Sequence, residues 1–259
     1  MDREAPRTGL GAVAFEDHFS GIATAYARAR PSYPAALFAA LAALAPGRDL
    51  AWDAGTGNGQ AAHGLAAHFR AVVATDPSAN QLAAAPPHSR IAFRLGSEAA
   101  SGLPAGSVDL VTAAQAAHWF AIDAFYAEAR RVLRPRGVIA LWCYDLCRIA
   151  PPIDASLAAF YERTVGPYWP TARHLVVSRY RTLAFPFREV PFPSLLVEQW
   201  WTLAEFAAYV RTWSAVTRFI AARGFDPVAA LLDEIAAAWG APATPRRVSW
   251  PLAGRIGRR

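Results

Sequence analysis

The chain predicts a doubly wound α/β fold with a mostly parallel sheet, and three observations carry that expectation. Leu50-Ala51-Trp52-Asp53 reads as a short apolar strand that ends on a carboxylate and runs straight into the glycine turn Ala54-Gly55-Thr56-Gly57-Asn58-Gly59. Strand-like and helix-like segments alternate after it, as the crossover units of a parallel sheet require. A second apolar strand, Ala71 to Thr75, ends on Asp76, where the hydroxyls of a ribose lie in such sheets.

The elements follow in order. The uncharged run Pro31 to Gly47 sets Leu37, Phe38, Leu41 and Leu44 on one helical face, which reads as a packing helix rather than a membrane span. Alternate glycines at 55, 57 and 59 permit positive φ and a close approach of backbone to a ligand, and Gln60 to Phe69 then starts a helix whose first amides face the same crevice. Ser78 to Ala84 reads as a helix, and Ile91 to Leu95 and Val108 to Thr112 read as strands. A helix from Asp123, as N-cap, to Leu133 leads through the breaker Pro135 and the stop Gly137 into a fifth strand, Val138 to Tyr144. Beyond it, Pro151, Pro152, Pro167 and Pro170 surround Phe160, Tyr161, Tyr168 and Trp169. An insertion at the carboxyl ends of the strands reads as a lid. A helix near His174 to Leu183, a strand near Phe187 to Val190, and a helix from Thr202 with Leu203, Phe206, Val210 and Trp213 on one side complete the pattern.

With 259 residues and 54% hydrophobic content, the chain is expected to bury one core as a single domain over 1–259. Within it, 1–45 form an N-terminal cap, 46–144 the cofactor-binding core, and 145–259 the lid insertion with the rest of the sheet. All 26 basic residues are arginine, so no lysine is present for a Schiff base, a pyridoxal phosphate anchor or a P-loop. The net charge of +6 admits a nucleic-acid partner, but the arginines are scattered rather than clustered in a stripe, which argues against one. The N-terminus lacks the apolar run of a signal peptide, and the only cysteines, Cys143 and Cys147, cannot build a disulfide framework. A cytoplasmic location without membrane contact is the expectation. His63 and His68 share no helical face, the cysteines have no histidine pair beside them, and no His-Glu-x-x-His occurs, so no metal is expected. There is no Gly-x-Ser-x-Gly elbow.

The ordered set Asp53-x-Gly55-x-Gly57-x-Gly59, then Asp76, then Gly96-Ser97-Glu98 after a third strand resembles the S-adenosylmethionine site of class I methyltransferases. A dinucleotide fingerprint more often spaces its glycines as Gly-x-Gly-x-x-Gly, with no carboxylate immediately before them. Asp17-His18-Phe19-Ser20, Arg30-Pro31-Ser32-Tyr33-Pro34, Gln115-Ala116-Ala117-His118-Trp119-Phe120 and Tyr209-Val210-Arg211-Thr212-Trp213-Ser214 are similar to the small-molecule branch that includes trans-aconitate methyltransferases. Val248-Ser249-Trp250-Pro251-Leu252 resembles the closing strand of that family.

The resemblance implies a seven-stranded Rossmann-like sheet with helices on both faces. Its helical, aromatic lid comes from the N-terminal segment and the region after the fifth strand. It implies S-adenosylmethionine as cofactor, S-adenosylhomocysteine as product, and in-line transfer to a small-molecule acceptor, an oxygen of a carboxylate or phenol. Gly55 and Gly57 then line the cofactor, Asp53 holds the ammonium directly or through water, and Asp76, followed by Pro77, takes the ribose. Ser97 and Glu98 lie on the adenine side, where the family more often has Asp. Gln115 and Ala116 flank the methionine end; Tyr26, Arg30 and Tyr33 fold over the cofactor, with Arg30 on the methionine carboxylate. His118 sits where substrate and cofactor meet and is the candidate catalytic base. Trp119, Tyr168, Trp169 and Trp213 are the candidate walls of the acceptor site, and Arg173, Arg179 and Arg211 its candidate carboxylate clamps. Each has an ordinary alternative as a turn glycine, a helix cap or a core aromatic.

Two rival functions stand beside this one. A nucleic-acid methyltransferase acting on exocyclic amines typically carries Asn/Asp-Pro-Pro-Tyr/Phe after the fourth strand, where this chain has Gln115-Ala116-Ala117-His118. A non-catalytic protein that binds S-adenosylmethionine or another nucleotide is the second.

Overall fold

The computed structural model describes residues 30–259. In chain order its main elements are α1 (Ala35–Leu44), β1 (Leu50–Ala54), α2 (Gln60–Ala66), β2 (Ala71–Asp76), α3 (Ala79–Ala83), β3 (Ile91–Leu95) and β4 (Val108–Ala114). Next come α4 (Ile122–Val132), β5 (Leu133–Cys143), α5 (Pro151–Ala159), α6 (Arg173–Val177), β6 (Arg188–Val190) and β7 (Leu196–Trp201). The last are α7 (Leu203–Arg211), α8 (Ser214–Arg223), α9 (Val228–Trp239), β8 (Arg246–Pro251) and β9 (Ala253–Arg258).

Seven strands form one sheet in the order β3-β2-β1-β4-β5-β9-β6, and β7 pairs with β8 in a separate two-stranded ribbon. The pairs from β3 through β5 are parallel, and β9 runs antiparallel to both β5 and β6. The order reverses between β1 and β4, so a crevice opens there at the carboxyl ends of the strands, just where the glycine turn leaves β1.

The strands carry near-continuous apolar runs because helices cover both faces. On β5, Val138, Ala140 and Trp142 face the core shared with α1 and α2, whereas Ile139, Leu141 and Cys143 face the core shared with Phe125 and Tyr126 of α4. The helices α7 and α9 bury Phe206, Val210, Leu231 and Trp239 in the first of these cores, and α9 packs against both α5 and α7. The helix expected from Thr202 is α7, and it starts with a capping box: Thr202 Oγ1 accepts from the Glu205 amide while the Glu205 carboxylate accepts from the Thr202 amide.

Four local expectations are corrected. Asp123 is not the N-cap of α4. Ala121 holds that place, its amide donating to Glu98 from the loop after β3, and Asp123 lies in the first turn. Gly137 does not stop that helix, which ends at Val132. The residue before Pro135 is driven extended, so Leu133 already begins β5 and pairs with Val108 ahead of a register shift.

The helix expected near His174 to Leu183 is only α6, since Arg179 and Tyr180 both take left-handed backbone. Finally, Val248 to Leu252 does not close the main sheet: Val248 and Trp250 point inward from the ribbon strand β8, and β9 closes the sheet instead. The β9 segment looks like a polar tail because Gly254 and Gly257 interrupt it. A Cβ at Gly254 would lie 2.1 Å from the Leu141 carbonyl oxygen, so glycine is what admits this strand to the edge of β5.

Candidate active site

The glycine turn rests on β2. Thr56 donates its amide to the Thr75 carbonyl (3.0 Å), and the Gly57 amide donates to Asp76 Oδ2 (2.8 Å). Asp76 Oδ1 accepts from the Ser78 amide (2.9 Å), so Ser78 rather than Asp76 caps α3, with the exposed Pro77 between them. These two contacts fix the orientation of Asp76 beside the turn. Gly55 and Gly57 have φ of +63° and +56°, and Ala116 and Phe120 press against Gly55, joining the end of β4 to the turn.

Asp53 is wholly buried. Its oxygens accept from Thr112 Oγ1 and Thr56 Oγ1, each at 2.6 Å. Both hydroxyls thus hold the carboxylate, which has no exposed surface in this conformation. Burial pushes its pKa up to about 6, against the two threonine hydroxyls, and the nearby charge of Asp76 adds to the rise. Among the described residues this buried carboxylate has no cationic partner.

The folded pKa lies above the unfolded one, so the folded chain takes up a proton between about pH 6 and pH 4, and this group's contribution to stability grows as pH falls through that window. Asp53→Asn should raise the stability of the ligand-free chain at pH 7.5 by about 1–3 kcal/mol. Melts should show about half of the gap gone at pH 5 and nearly all of it by about pH 4; a variant less stable at pH 7.5 would refute this account of Asp53.

A cavity lies at the carboxyl ends of β4 and β5. Gln115 ends β4 with φ +52° and completes the β4–β5 pairing with its side chain, donating to the Tyr144 carbonyl (3.0 Å) and accepting from the Tyr144 amide (3.2 Å). His118 follows in the short turn Ala117–Trp119, its Nδ1 3.0 Å from the hydroxyl of the buried Tyr180. Burial, with Arg173 nearby, lowers His118 to about 3, so the imidazole is neutral and a poor general base.

Arg173, at the start of α6, donates through Nε to Tyr161 Oη (2.8 Å), pairs with Asp145 through Nη2, and lies 4.6 Å from the Trp169 ring. Trp169 and Trp213 are 5.8 Å apart, and Trp119, 40% exposed, stands on the same cavity. Arg30 also lines it, 5.6 Å from the Tyr209 ring, reaching Tyr144 Oη at 3.5 Å and the Thr212 carbonyl at 3.4 Å.

The cavity thus brings together Arg30, Gln115, His118, Trp119, Trp169, Arg173 and Trp213. Three other candidate substrate residues lie outside it. Tyr168 is in a 3₁₀ turn, where neighbours project about 120° apart; its ring meets Phe219 and its hydroxyl accepts from Arg223 at 2.8 Å. Arg211 lies two residues along α7 from the cavity-lining Tyr209, about 200° around the helix, and pairs with Asp226 at 2.7 Å.

Arg179 lines a second cavity, beyond the Tyr144–Leu146 segment. On the adenine side, Ser97 is exposed and bridges to Ala100, while Glu98 is engaged with the start of α4. Tyr26 and the motif at 17–20 lie outside the described residues.

Asp145, Tyr209 and Ser214 also line the cavity and were not anticipated. The rule that singled out Asp53 and Asp76, an acid just past a strand's carboxyl end, also finds Asp145. Burial raises the thiols of Cys143, to about 12, and of Cys147, so neither is a nucleophile. Among the described residues no group of three His, Cys, Asp or Glu is arranged to hold a metal, and no helix is long and apolar enough to cross a membrane.

A mostly parallel seven-stranded sheet with flanking helices, a glycine turn after β1 and an acid at the end of β2 define the Rossmann-like methyltransferase fold. Residues 52–141 match the methyltransferase domain family. A protein of Dictyostelium discoideum assigned as a methyltransferase is 33% identical over 216 residues, covering 82% of each chain. A solved structure from Anaeromyxobacter dehalogenans, assigned as a type II methyltransferase, is 45% identical with a TM-score of 0.84, over 88% of this chain and 97% of that one. A Saccharomyces cerevisiae protein assigned as an S-adenosylmethionine-dependent methyltransferase is 30% identical over 128 residues, 46% of this chain and 44% of its own. The chain belongs to the S-adenosylmethionine-dependent methyltransferase family.

Proposed function

We propose that the chain methylates an oxygen of a small acidic or phenolic acceptor held in the cavity at the ends of β4 and β5. One observation carries this reading. Among the described residues the cavity, of about 80 Å³, has aromatic walls in Trp119, Trp169, Trp213 and Tyr209, and the guanidiniums of Arg30 and Arg173 line it together with the Asp145 carboxylate. Apolar walls with a few convergent polar groups suit a compact organic anion. The likeness to trans-aconitate methyltransferases supports a carboxylate.

In this reading Asp76 binds the ribose, Gly55 and Gly57 admit the methionine portion, and Gln115 and Ala116 border it. Arg30 takes the methionine carboxylate or the acceptor, and the exposed Ser97 and Pro77 lie toward the adenine. Bound S-adenosylmethionine supplies a sulfonium-activated methyl group, so a carboxylate oxygen attacks it with no proton to move, whereas a phenol releases its proton to solvent as its oxygen is methylated. The chain's own work is alignment and exclusion of water. Its neutral histidine agrees with that division.

The test offers the protein S-adenosylmethionine with separate panels of small carboxylic acids, phenols, RNA and DNA, and reads S-adenosylhomocysteine release. Turnover on a small acid or phenol is expected. Arg173→Ala should then raise the acceptor KM about 10- to 100-fold, the scale of a lost charge-assisted hydrogen bond, while Arg211→Ala leaves it unchanged. Turnover on nucleic acid alone would overturn the acceptor assignment, and full activity of Arg173→Ala would remove its role.

A further inference from the structure

The chain after α6 makes an unusual turn. Arg179 donates its amide to the Val176 carbonyl and Tyr180 to the Leu175 carbonyl, both at 2.8 Å, the hydrogen-bond pattern of a Schellman cap. Glycine is the usual residue at the left-handed position of that motif, yet here Arg179 (φ +57°) and Tyr180 (φ +59°) are both left-handed and neither is glycine. The outcome of this strained turn is specific: Tyr180 is turned inward, wholly buried, with its hydroxyl on His118 Nδ1 and the two rings stacked at 6.2 Å.

We infer that Tyr180 is a positioning residue that holds His118 as the Nε2–H tautomer, so that the histidine donates a hydrogen bond to the methyl acceptor instead of taking its proton.

The assignment follows from counting donors. The Tyr180 hydroxyl hydrogen has no other acceptor among the described residues than His118 Nδ1. Were Nδ1 protonated, it would donate to the same oxygen and leave a buried O–H unsatisfied. Nδ1 is therefore the acceptor, and the single proton of the neutral ring sits on Nε2. Among the described residues no group bonds Nε2, which is not sealed from the cavity that His118 lines.

The charged and titratable groups around the ring all favour its neutral form or leave it undisturbed. Arg173 opposes a second positive charge, Asp145 is paired with Arg173, and the Tyr180 phenol is held protonated by burial. An Nε2–H donor beside Arg173 suits a carboxylate acceptor: it can hold the oxygen that does not attack and so orient the one that does.

This inference rests on the acceptor cavity proposed above, but its first test needs no acceptor. Nitrogen-15 NMR of histidine-labelled protein, with His118 identified by its loss in His118→Gln, should show Nε2 protonated and Nδ1 unprotonated from pH 5 to pH 8. Tyr180→Phe should lose that fixed pattern while the protein stays folded by circular dichroism. A protonated Nδ1, titration of His118 in that range, or an unaltered spectrum in Tyr180→Phe would overturn the inference, whether or not an acceptor has been found.

With an acceptor in hand, His118→Gln, which keeps an N–H donor near the Nε2 position, should retain activity within about tenfold, while His118→Ala loses about 100-fold, the scale of a lost hydrogen bond to a charged group. Tyr180→Phe should lower kcat about tenfold with little change in the KM for S-adenosylmethionine. Equal inactivity of His118→Gln and His118→Ala, with a histidine limb in the wild-type pH profile, would make His118 a base and refute the donor role.

Discussion

Replacing Asp76 with alanine is expected to weaken S-adenosylmethionine binding by about 1–3 kcal/mol from the ribose contacts alone, which is about 5- to 150-fold in affinity. The loss should go further, because the same carboxylate anchors the Gly57 and Ser78 amides and so holds the glycine turn and the start of α3 in one piece. Asp76→Asn separates the two contributions. Its single carbonyl oxygen can keep one anchor but cannot serve both amides and a diol as a carboxylate does. Calorimetry with S-adenosylhomocysteine should therefore rank wild type, Asn and Ala in falling affinity. Unchanged affinity in the alanine variant would place the ribose elsewhere.

Gly55→Val should be the most damaging single change at the turn. The left-handed φ of +63° costs a β-carbon-bearing residue about 1–2 kcal/mol. The added Cβ would also lie 2.8 Å from that of Ala116 and 2.9 Å from the Phe120 ring. Neither neighbour can retreat easily: Ala116 is buried at the end of β4, and Phe120 packs against Phe125 with ring centroids 4.9 Å apart. Overpacking of this kind adds about 1–3 kcal/mol, so denaturant melts should reveal a total loss of about 2–5 kcal/mol. Cofactor binding should fall with it, because relief of the clash must move the turn away from the end of β4. A valine variant with wild-type stability and affinity would show that the turn is looser than its contacts indicate.

The contrast between the two positions bears on how the site works. Asp76 is a polar hub whose loss can be read by titrating ligand. Gly55 matters for what it lacks, and its effect is on the shape of the crevice. Asp53 lies between these cases: it is buried beneath the turn, with its oxygens accepting from Thr56 and Thr112.

Local sequence determined the cofactor half of the molecule. Strand, glycine turn, helix and terminal acid occur within about one βα unit and a strand, so nearest-neighbour chemistry places Asp53, Gly55, Gly57 and Asp76 together. The start of a helix at Thr202 was legible for the same reason. The acceptor half was decided by tertiary structure. Arg173, Trp169, Trp213 and Arg30 are far apart in the chain and meet only when the helices after β5 fold over the ends of β4 and β5.

Whether an aromatic or an arginine faces that cavity depends on a rotation of 100–120° per residue, which is why Trp169 lines it and Tyr168 does not, and why Arg173 lines it while Arg211 pairs with Asp226. The closing strand β9 and the inward Tyr180 were hidden in the same way. One depends on glycines that admit a neighbouring backbone, and the other on a left-handed turn that no residue type there announces; both owe their conformations to partners brought by the rest of the fold.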